Sequence, residues 1–266
     1  MHRLCWITDI HLNHMAAGTA DQLIDLVRAD QPDGIWLTGD IAESDSLVQW
    51  LQKLDQQLQL PIYFVLGNHD YYHGSIRQLR REISDLCDSH PRLNYLSSSD
   101  WVEITPGSGL LGHDGWADGR IGDYGRSQVM LNDYRLISEL APYGHVERQP
   151  ILERLADEAA EHISSQLNLA LAACDNVYLL THVPPLRAAC WYEGDVADDE
   201  WAPHFTCQAI GQVLMETMQL HPEKQLTVLC GHTHHSGSCQ PIPNLTILTG
   251  SADYDRAEIA GTFILD

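Results

Sequence analysis

Residues 62–70 read Ile-Tyr-Phe-Val-Leu-Gly-Asn-His-Asp, an apolar run that ends abruptly in a polar cluster. Apolar runs of this length, rich in branched and aromatic side chains, predict short buried strands. Four other runs have the same form, and polar groups follow each of them: Leu4–Thr8, Gly34–Thr38, Val177–Thr181 and Leu226–Cys230. The pattern predicts five strands whose ends carry chemically active side chains.

Amphipathic segments separate the first three apolar runs. Residues 17–30 and 44–58 place leucine and valine at helical spacing, and Ser44 is suited to cap the second segment. Strand, helix, strand, helix, strand is the order of an α/β fold with a parallel sheet and right-handed crossovers. We therefore predict that fold class.

The rest of the chain continues this alternation less regularly. We predict helices from Gly74 to about Cys87, over 150–173 and from about Cys207 to Leu220. Further strands are predicted over Leu93–Leu96, Trp101–Ile104, Leu110–Gly112, Leu245–Thr249 and Gly261–Leu265. Irregular excursions occupy about 113–149 and 184–206. Because no repeat or low-complexity linker divides the sequence, we expect residues 1–266 to form one domain.

The composition excludes some function classes. A net charge of −22 repels polyanions, so nucleic acid is an unfavourable partner. A small phosphorylated substrate remains compatible, because bound metal ions reverse the charge locally. No apolar run reaches the roughly 18 residues of a membrane span, and Asp9 ends the short apolar N-terminus. These features predict a cytoplasmic protein without a membrane segment.

The seven cysteines are predicted to be reduced thiols. Their number is odd, and no two of them have the Cys-x-x-Cys spacing. Cys190 and Cys207 flank a polar excursion, and the sequence leaves open whether they pair.

The polar groups after the five runs form a metal-ligand set. They are Asp9 with His11, Gly39-Asp40, Gly67-Asn68-His69-Asp70, His182, and Gly231-His232-Thr233-His234. Each group alone has an ordinary structural explanation, such as a turn or a buried histidine. All five together would meet beyond the carboxyl ends of parallel strands, where α/β sheets form their sites. Imidazole, carboxylate and amide donors without thiolate favour Mn, Fe or Zn.

This ordered set resembles the signature of the calcineurin-like metallophosphoesterase superfamily. The resemblance extends from Asp9 to His234 and implies a two-sheet β-sandwich flanked by α-helices. It also implies two divalent metal ions per chain. One ion would be held by Asp9, His11, Asp40 and His234, and the other by Asp40, Asn68, His182 and His232. His69 would then act on the substrate as the catalytic imidazole, oriented by Asp70.

The implied activity is hydrolysis of a small soluble phosphodiester or phosphomonoester by in-line attack of a metal-bound hydroxide. Loops over the metals would select the substrate, and the excursions offer candidate contacts: Arg120, Tyr124, Arg187, Trp191 and Tyr192. Each of these side chains would equally serve to pack its loop. Two alternative functions are a metal-dependent nuclease, disfavoured by the charge, and a silent binding scaffold, disfavoured by the complete ligand set. Oligomeric state is left open.

Overall fold

A computed structural model describes residues 1–16, 18–254 and 256–266. Its strands are β1 His2–Ile7, β2 Gly34–Thr38, β3 Ile62–Val65, β4 Leu93–Tyr95, β5 Val102–Thr105, β6 Ser108–His113, β7 Asn176–Thr181, β8 Trp191–Tyr192, β9 Asp195–Val196, β10 Gln225–Cys230, β11 Gly237–Ile242, β12 Leu245–Thr249 and β13 Gly261–Leu265. Its helices are α1 Thr19–Asp30, α2 Leu47–Leu58, α3 Ile76–Ser89, α4 Asp133–Leu136, α5 His145–Ala173, α6 Ala202–Phe205 and α7 Gln208–Leu220.

The first sheet has the order β13-β1-β2-β3-β4. Strands β1 to β4 are parallel, and β13 pairs antiparallel with β1. Alternate strand residues point to opposite faces. Leu37 and Phe64 therefore pack in one core with helix residues such as Leu23 and Leu51, while Trp36 and Val65 belong to another.

The second sheet has the order β11-β12-β10-β7-β6-β5. Its four central strands are parallel, and β5 and β11 are antiparallel edges. Helices α5 and α7 cover one face, where Ile163 and Leu214 join Val177 and Val228 in a buried cluster. Each of the two helices packs an apolar stripe against this apolar face.

The two sheets pack against each other through a third apolar cluster. Leu4 and Trp36 of the first sheet meet Leu180 and Leu229 of the second there, and all four are buried. The rings of Trp36 and Tyr178 lie 4.9 Å apart between centroids. A sheet sandwich with helices outside confirms the predicted α/β class and the two-sheet architecture.

Several local predictions require correction. Ser44 does not cap α2, which begins at Leu47; its hydroxyl donates instead to the carbonyl of Tyr72 at 2.7 Å. Helix α5 begins at His145 rather than at residue 150, so Pro150 lies in its second turn, where the proline has no N–H to donate to the carbonyl of Val146. Strand β11 and the short β8–β9 hairpin were not predicted. Residue 17, predicted to begin the first helix, lies outside the described residues.

All seven cysteines are free. Cys190 and Cys207 are buried in different apolar clusters, so the pairing that the sequence left open does not form. Within the described ranges, none of the helices combines the length and the apolar character that a bilayer span requires.

Candidate metal centre

The carboxyl ends of five strands, three in one sheet and two in the other, meet at one place. The carbonyl of Thr38, the last residue of β2, accepts a hydrogen bond from His182 Nδ1 at 2.8 Å. The backbone N–H of His232, after β10, donates to Asp9 Oδ1 at 2.9 Å. These contacts between sheets bring the sequence-predicted ligands into one buried cluster.

The first group of donor atoms belongs to Asp9, His11, Asp40 and His234. One ligand atom from each lies within 4.8 Å of all the others. His11 Nε2 is 3.1 Å from His234 Nε2 and 3.7 Å from Asp40 Oδ2, and His234 Nε2 is 3.5 Å from Asp9 Oδ1. The structure thus assembles the four residues predicted to hold one ion.

The second group contains Asn68, His182 and His232. Asn68 Oδ1 lies 3.0 Å from His182 Nε2 and 2.9 Å from His232 Nδ1, and these two nitrogens are 3.3 Å apart. His182 Nε2 is also 3.4 Å from Asp40 Oδ1. The two oxygens of Asp40 therefore face different groups, as a bridging carboxylate would.

Carbonyl partners determine which ring nitrogens of the second group carry protons. His182 Nδ1 faces the carbonyl of Thr38, and His232 Nε2 faces the carbonyl of His204 at 3.2 Å. A carbonyl only accepts, so these nitrogens donate, and in the neutral rings the opposite nitrogens present lone pairs. Asn68 adds a third lone-pair atom, because its amide nitrogen donates to Asp133 at 2.9 Å. Three lone pairs at about 3 Å repel one another unless a cation lies between them.

The separations also fit a metal ion. Donors about 2.0–2.2 Å from an ion, at angles between 90° and 109°, lie about 2.8–3.6 Å apart. The atom pairs given above lie 2.9–3.7 Å apart, so all but the longest, His11 Nε2 to Asp40 Oδ2, fall in this range. The carboxylate–imidazole distances of 3.4–3.7 Å exceed an ordinary hydrogen bond. The residues present therefore fit a dinuclear divalent metal site.

The protonation properties agree with this assignment. Burial lowers the pKa of His11 and of His232 to about 3, so both are neutral at physiological pH, as metal ligands must be. Burial alone would lower the pKa of His182, but Asp40 and Asp9 outweigh it and raise that pKa. The carboxylates thus create a position that attracts positive charge.

The backbone is strained at the same residues. Five of the seven predicted ligands adopt positive φ angles, which are uncommon outside glycine: Asp9 (49°), His11 (39°), Asp40 (52°), His232 (72°) and His234 (59°). Such conformations cost of order 1–3 kcal/mol each and concentrate at functional sites. The fold therefore holds these side chains in place against a local preference.

Two glycines permit the close approach of the ligand loops. A Cβ at Gly67 would lie 2.1 Å from Asp40 Oδ1, and a Cβ at Gly231 would lie 2.0 Å from Asp9 Oδ2. Real Cβ atoms do not come this close to an oxygen. Any side chain at either position would displace a predicted ligand.

His69 lies beside the cluster without contributing to either group. Its ring stacks on Tyr72, with centroids 4.2 Å apart, and lies 4.6 Å from the ring of His11. Its backbone N–H donates to Asp40 Oδ1 at 2.9 Å. The catalytic role of this imidazole stays a prediction.

The predicted orientation of His69 by Asp70 is wrong. Both carboxylate oxygens of Asp70 accept backbone N–H groups, from Ile41 and Ala42 at 2.8 and 2.9 Å and from Gly67 at 2.7 Å. Asp70 therefore ties two ligand loops together. Within the described chain, the buried Nδ1 of His69 has no hydrogen-bond partner.

Two buried aspartates that the sequence did not identify support the ligands. Asp133 in the first excursion accepts from the amide of Asn68 and orients its oxygen. The side-chain carboxylate of Asp114 accepts a hydrogen bond from the backbone N–H of Leu66 at 2.7 Å. The backbone carbonyl of Asp114 accepts one from the backbone N–H of His182 at 3.0 Å. Neither residue has a local sequence signal, because its partners are distant in the chain.

The five substrate-contact candidates are engaged elsewhere. Arg120 forms a two-point ion pair with Asp157, and Arg187 pairs with Asp199. The remaining three pack their loops: Tyr124 stacks on His145, Trp191 lies against Gly237, and Tyr192 packs with Trp201 and Phe205. Among the described contacts, none of the five reaches a predicted metal ligand. The two arginines are paired with acids, whereas the buried Nε1 of Trp191 has no hydrogen-bond partner among the described residues.

Tyr254 is an unpredicted neighbour of the cluster. Its ring centroid lies 4.6 Å from that of His11 and 5.1 Å from that of His234, and the residue is 45% exposed. A half-exposed tyrosine and the partly exposed His234 form the solvent side of the first group.

Two helix-flanked sheets that gather Asp, Asn and His at their strand ends are the architecture of a metallophosphoesterase. The calcineurin-like phosphoesterase family model matches residues 2–236, and the chain belongs to that family. This match confirms the family that the sequence predicted.

Similarity to individual proteins is partial. The chain is 31% identical over 120 residues to an uncharacterised metallophosphoesterase of Campylobacter jejuni, covering 42% of this chain and 31% of that relative. Its fold resembles a phosphopantetheinyl hydrolase of Mycobacterium tuberculosis (TM-score 0.65, 17% identity, covering 96% of this chain and 89% of the other). It also resembles a dimetal phosphatase of Danio rerio (TM-score 0.59, 17% identity, covering 94% and 87%).

Proposed function

We propose that this protein hydrolyses a small phosphate ester, monoester or diester, at a centre of two divalent ions. The observation that carries the proposal is the position of Asp40. Its Oδ2 is 3.7 Å from His11 Nε2 in one ligand group and its Oδ1 is 3.4 Å from His182 Nε2 in the other. A carboxylate placed between two ligand groups is the arrangement that a two-metal site requires.

The ligands would divide as the two groups do. Asp9, His11 and His234 would hold one ion, and Asn68, His182 and His232 the other, with Asp40 shared. When bound, the ions would polarise a phosphate and make hydroxide available near neutral pH. Nitrogen and oxygen donors favour manganese, iron or zinc. Because these residues come from both sheets, we also propose that residues 1–266 act as one domain.

Protein side chains supply the remaining chemistry. The imidazole of His69, held between Tyr72 and His11, would donate a proton to the leaving oxygen or stabilise its charge. Asp70 would hold the loops of Asp40 and His69 in register through its three backbone hydrogen bonds. Tyr254 lies on the exposed side of the cluster, where a substrate hydroxyl or phosphate would approach.

The substrate is expected to be small. A net charge of −22 opposes a long polyanion, whereas a single ester presents one or two charges to the centre. This difference supports a soluble small molecule over nucleic acid as the substrate.

The proposal is tested by metal analysis and hydrolysis together. The protein is purified without chelator, its metal content is measured by mass spectrometry, and it is assayed on p-nitrophenyl phosphate and bis-p-nitrophenyl phosphate with and without Mn²⁺. Asp40→Asn should lose metal and activity together, whereas the exposed control Asp25→Asn should retain both. Hydrolysis that survives complete metal removal would contradict the proposal, as would full metal occupancy in Asp40→Asn.

A further inference from the structure

A cleft lies between helices α3 and α5, away from the metal centre. None of the predicted metal ligands lines it. Its volume is about 750 Å³, within the range of small-molecule sites. Four arginines line it: Arg77, Arg80, Arg81 and Arg154. The chain has only 15 lysines and arginines against 37 acidic residues, so four arginines in one concavity stand out against an acidic surface.

Three of these arginines lack an ionic partner. Arg77, Arg81 and Arg154 are exposed and form no ion pair among the described residues. Arg77 and Arg81 lie four residues apart on α3 and so share one face, where like charges repel. A bound anion would relieve this repulsion.

The acidic residues of the cleft are already engaged. Glu158 accepts from Arg80 Nη1 at 2.8 Å. Glu139 accepts from the hydroxyl of Ser75 at 2.6 Å and from the backbone N–H of Ile76 at 2.9 Å, which places it at the start of α3. Asp114 also pairs with Arg80, so three carboxylates stand against four guanidinium groups and the cleft keeps one positive charge.

The floor of the cleft is rigid. Arg80 Nε donates to Asp114 Oδ2 at 3.1 Å and to the hydroxyl of Tyr71 at 3.2 Å. Its buried Nη2 has no partner within the described part of the chain, so one guanidinium donor is unused. The wall includes Tyr143, which is 45% exposed, and Leu155. The cleft therefore combines one fixed guanidinium group and three exposed ones with an aromatic and apolar side.

We propose that this cleft binds a small organic phosphate carrying at least two negative charges and an apolar or aromatic portion, as a nucleoside diphosphate does. Guanidinium groups match phosphate geometry through paired N–H donors. The ring of Tyr143 and the side chain of Leu155 would cover the apolar portion. The site is separate from the metal centre, so it would bind a ligand that is not being hydrolysed.

The test measures binding of ADP and of inorganic pyrophosphate by isothermal titration calorimetry. It uses full-length protein carrying Asp40→Asn, which weakens binding at the metal centre. In this background, Arg77→Ala with Arg81→Ala should weaken ADP binding about 100-fold, or about tenfold for each charge-assisted contact. The matched control removes two exposed arginines elsewhere, Arg28→Ala with Arg126→Ala, and should leave the affinity unchanged.

A second variant pair separates charge from geometry. Arg77→Lys with Arg81→Lys keeps the charge but loses the paired donors, and should bind ADP with intermediate affinity. ADP should bind more tightly than pyrophosphate if Tyr143 and Leu155 cover the apolar portion. Equal ADP affinity in the parent and the double alanine variant would overturn the site. Binding of hexaglutamate but of neither phosphate compound would overturn the ligand class.

Discussion

Replacing Asp114 by asparagine should destabilise the fold strongly, because its carboxylate is the centre of a buried polar network. Its Oδ1 accepts from Leu66 N and Ser97 Oγ at 2.7 and 2.6 Å, and the residue is 1% exposed. Its Oδ2 accepts from the hydroxyls of Tyr71 and Tyr95, both at 2.6 Å, and from Arg80 Nε at 3.1 Å.

The size of the effect follows from which partners asparagine can satisfy. The retained amide oxygen can still accept from Leu66 and Ser97, and tyrosine hydroxyls can rotate to accept from the new NH₂ group. The guanidinium of Arg80 has no acceptor atom, so it cannot accept a hydrogen bond from the new NH₂ group. It would instead face an N–H group at the former Oδ2 position. Breaking a buried ion pair from one side costs about 3–5 kcal/mol. Because Glu158 still pairs with Arg80, we expect a loss near 3 kcal/mol.

Urea unfolding followed by tryptophan fluorescence measures this loss. Asp157→Asn, which breaks a pair whose acid is 60% exposed, is the control and should cost at most about 1 kcal/mol. Arg80→Met combined with Asp114→Asn should be less damaging than the sum of the two changes. A loss below about 1 kcal/mol for Asp114→Asn, or simple additivity in the double variant, would refute the electrostatic explanation.

The pH dependence gives an independent check of the same network. Burial alone would raise the pKa of Asp114, but Arg80, His113 and the hydroxyl donors outweigh burial and lower that pKa. A depressed folded-state pKa contributes stability above the unfolded-state value of about 4, and this contribution is lost as pH falls through the folded-state pKa. The stability difference between wild type and Asp114→Asn should therefore be constant above about pH 5 and shrink below about pH 4. A difference that grows on acidification would contradict the sign of the shift.

Three further predictions concern the metal centre. His69→Ala should retain both metals and lower turnover by about 100-fold, the scale of a lost general acid; loss of metal on elemental analysis would instead make His69 a ligand. Gly231→Ala should destabilise the protein by about 1–3 kcal/mol and reduce its metal content, because the new methyl group overlaps Asp9 Oδ2. Unchanged metal content would show that the loop can relax. Chelation should lower the melting temperature, since ions at 100 times their Kd stabilise the native state by about 2.7 kcal/mol per site; an unchanged melting curve would argue against bound metal in the purified protein.

Local sequence signals were sufficient to predict the five strands that precede the candidate ligands, but not β8, β9 or β11. Each of the five is a short apolar run, and each predicted ligand follows such a run within a few residues, as Asp9 follows β1 and His182 follows β7. Parallel strands bring their carboxyl ends to the same edge, so the order of strands and polar groups is enough to predict that the ligands meet. The resemblance to a known family then supplied the division into two ion sites.

The surroundings of the ligands depended on contacts between distant parts of the chain. Asn68 is oriented by Asp133, 65 residues away, and Leu66 is held by Asp114, 48 residues away. Arg120, predicted as a substrate contact, pairs with Asp157, 37 residues away. A periodic pattern reports which face of an element is buried, but it contains no information about which distant group lies opposite a polar side chain. Only the packing of the two sheets and their helices determines that pairing.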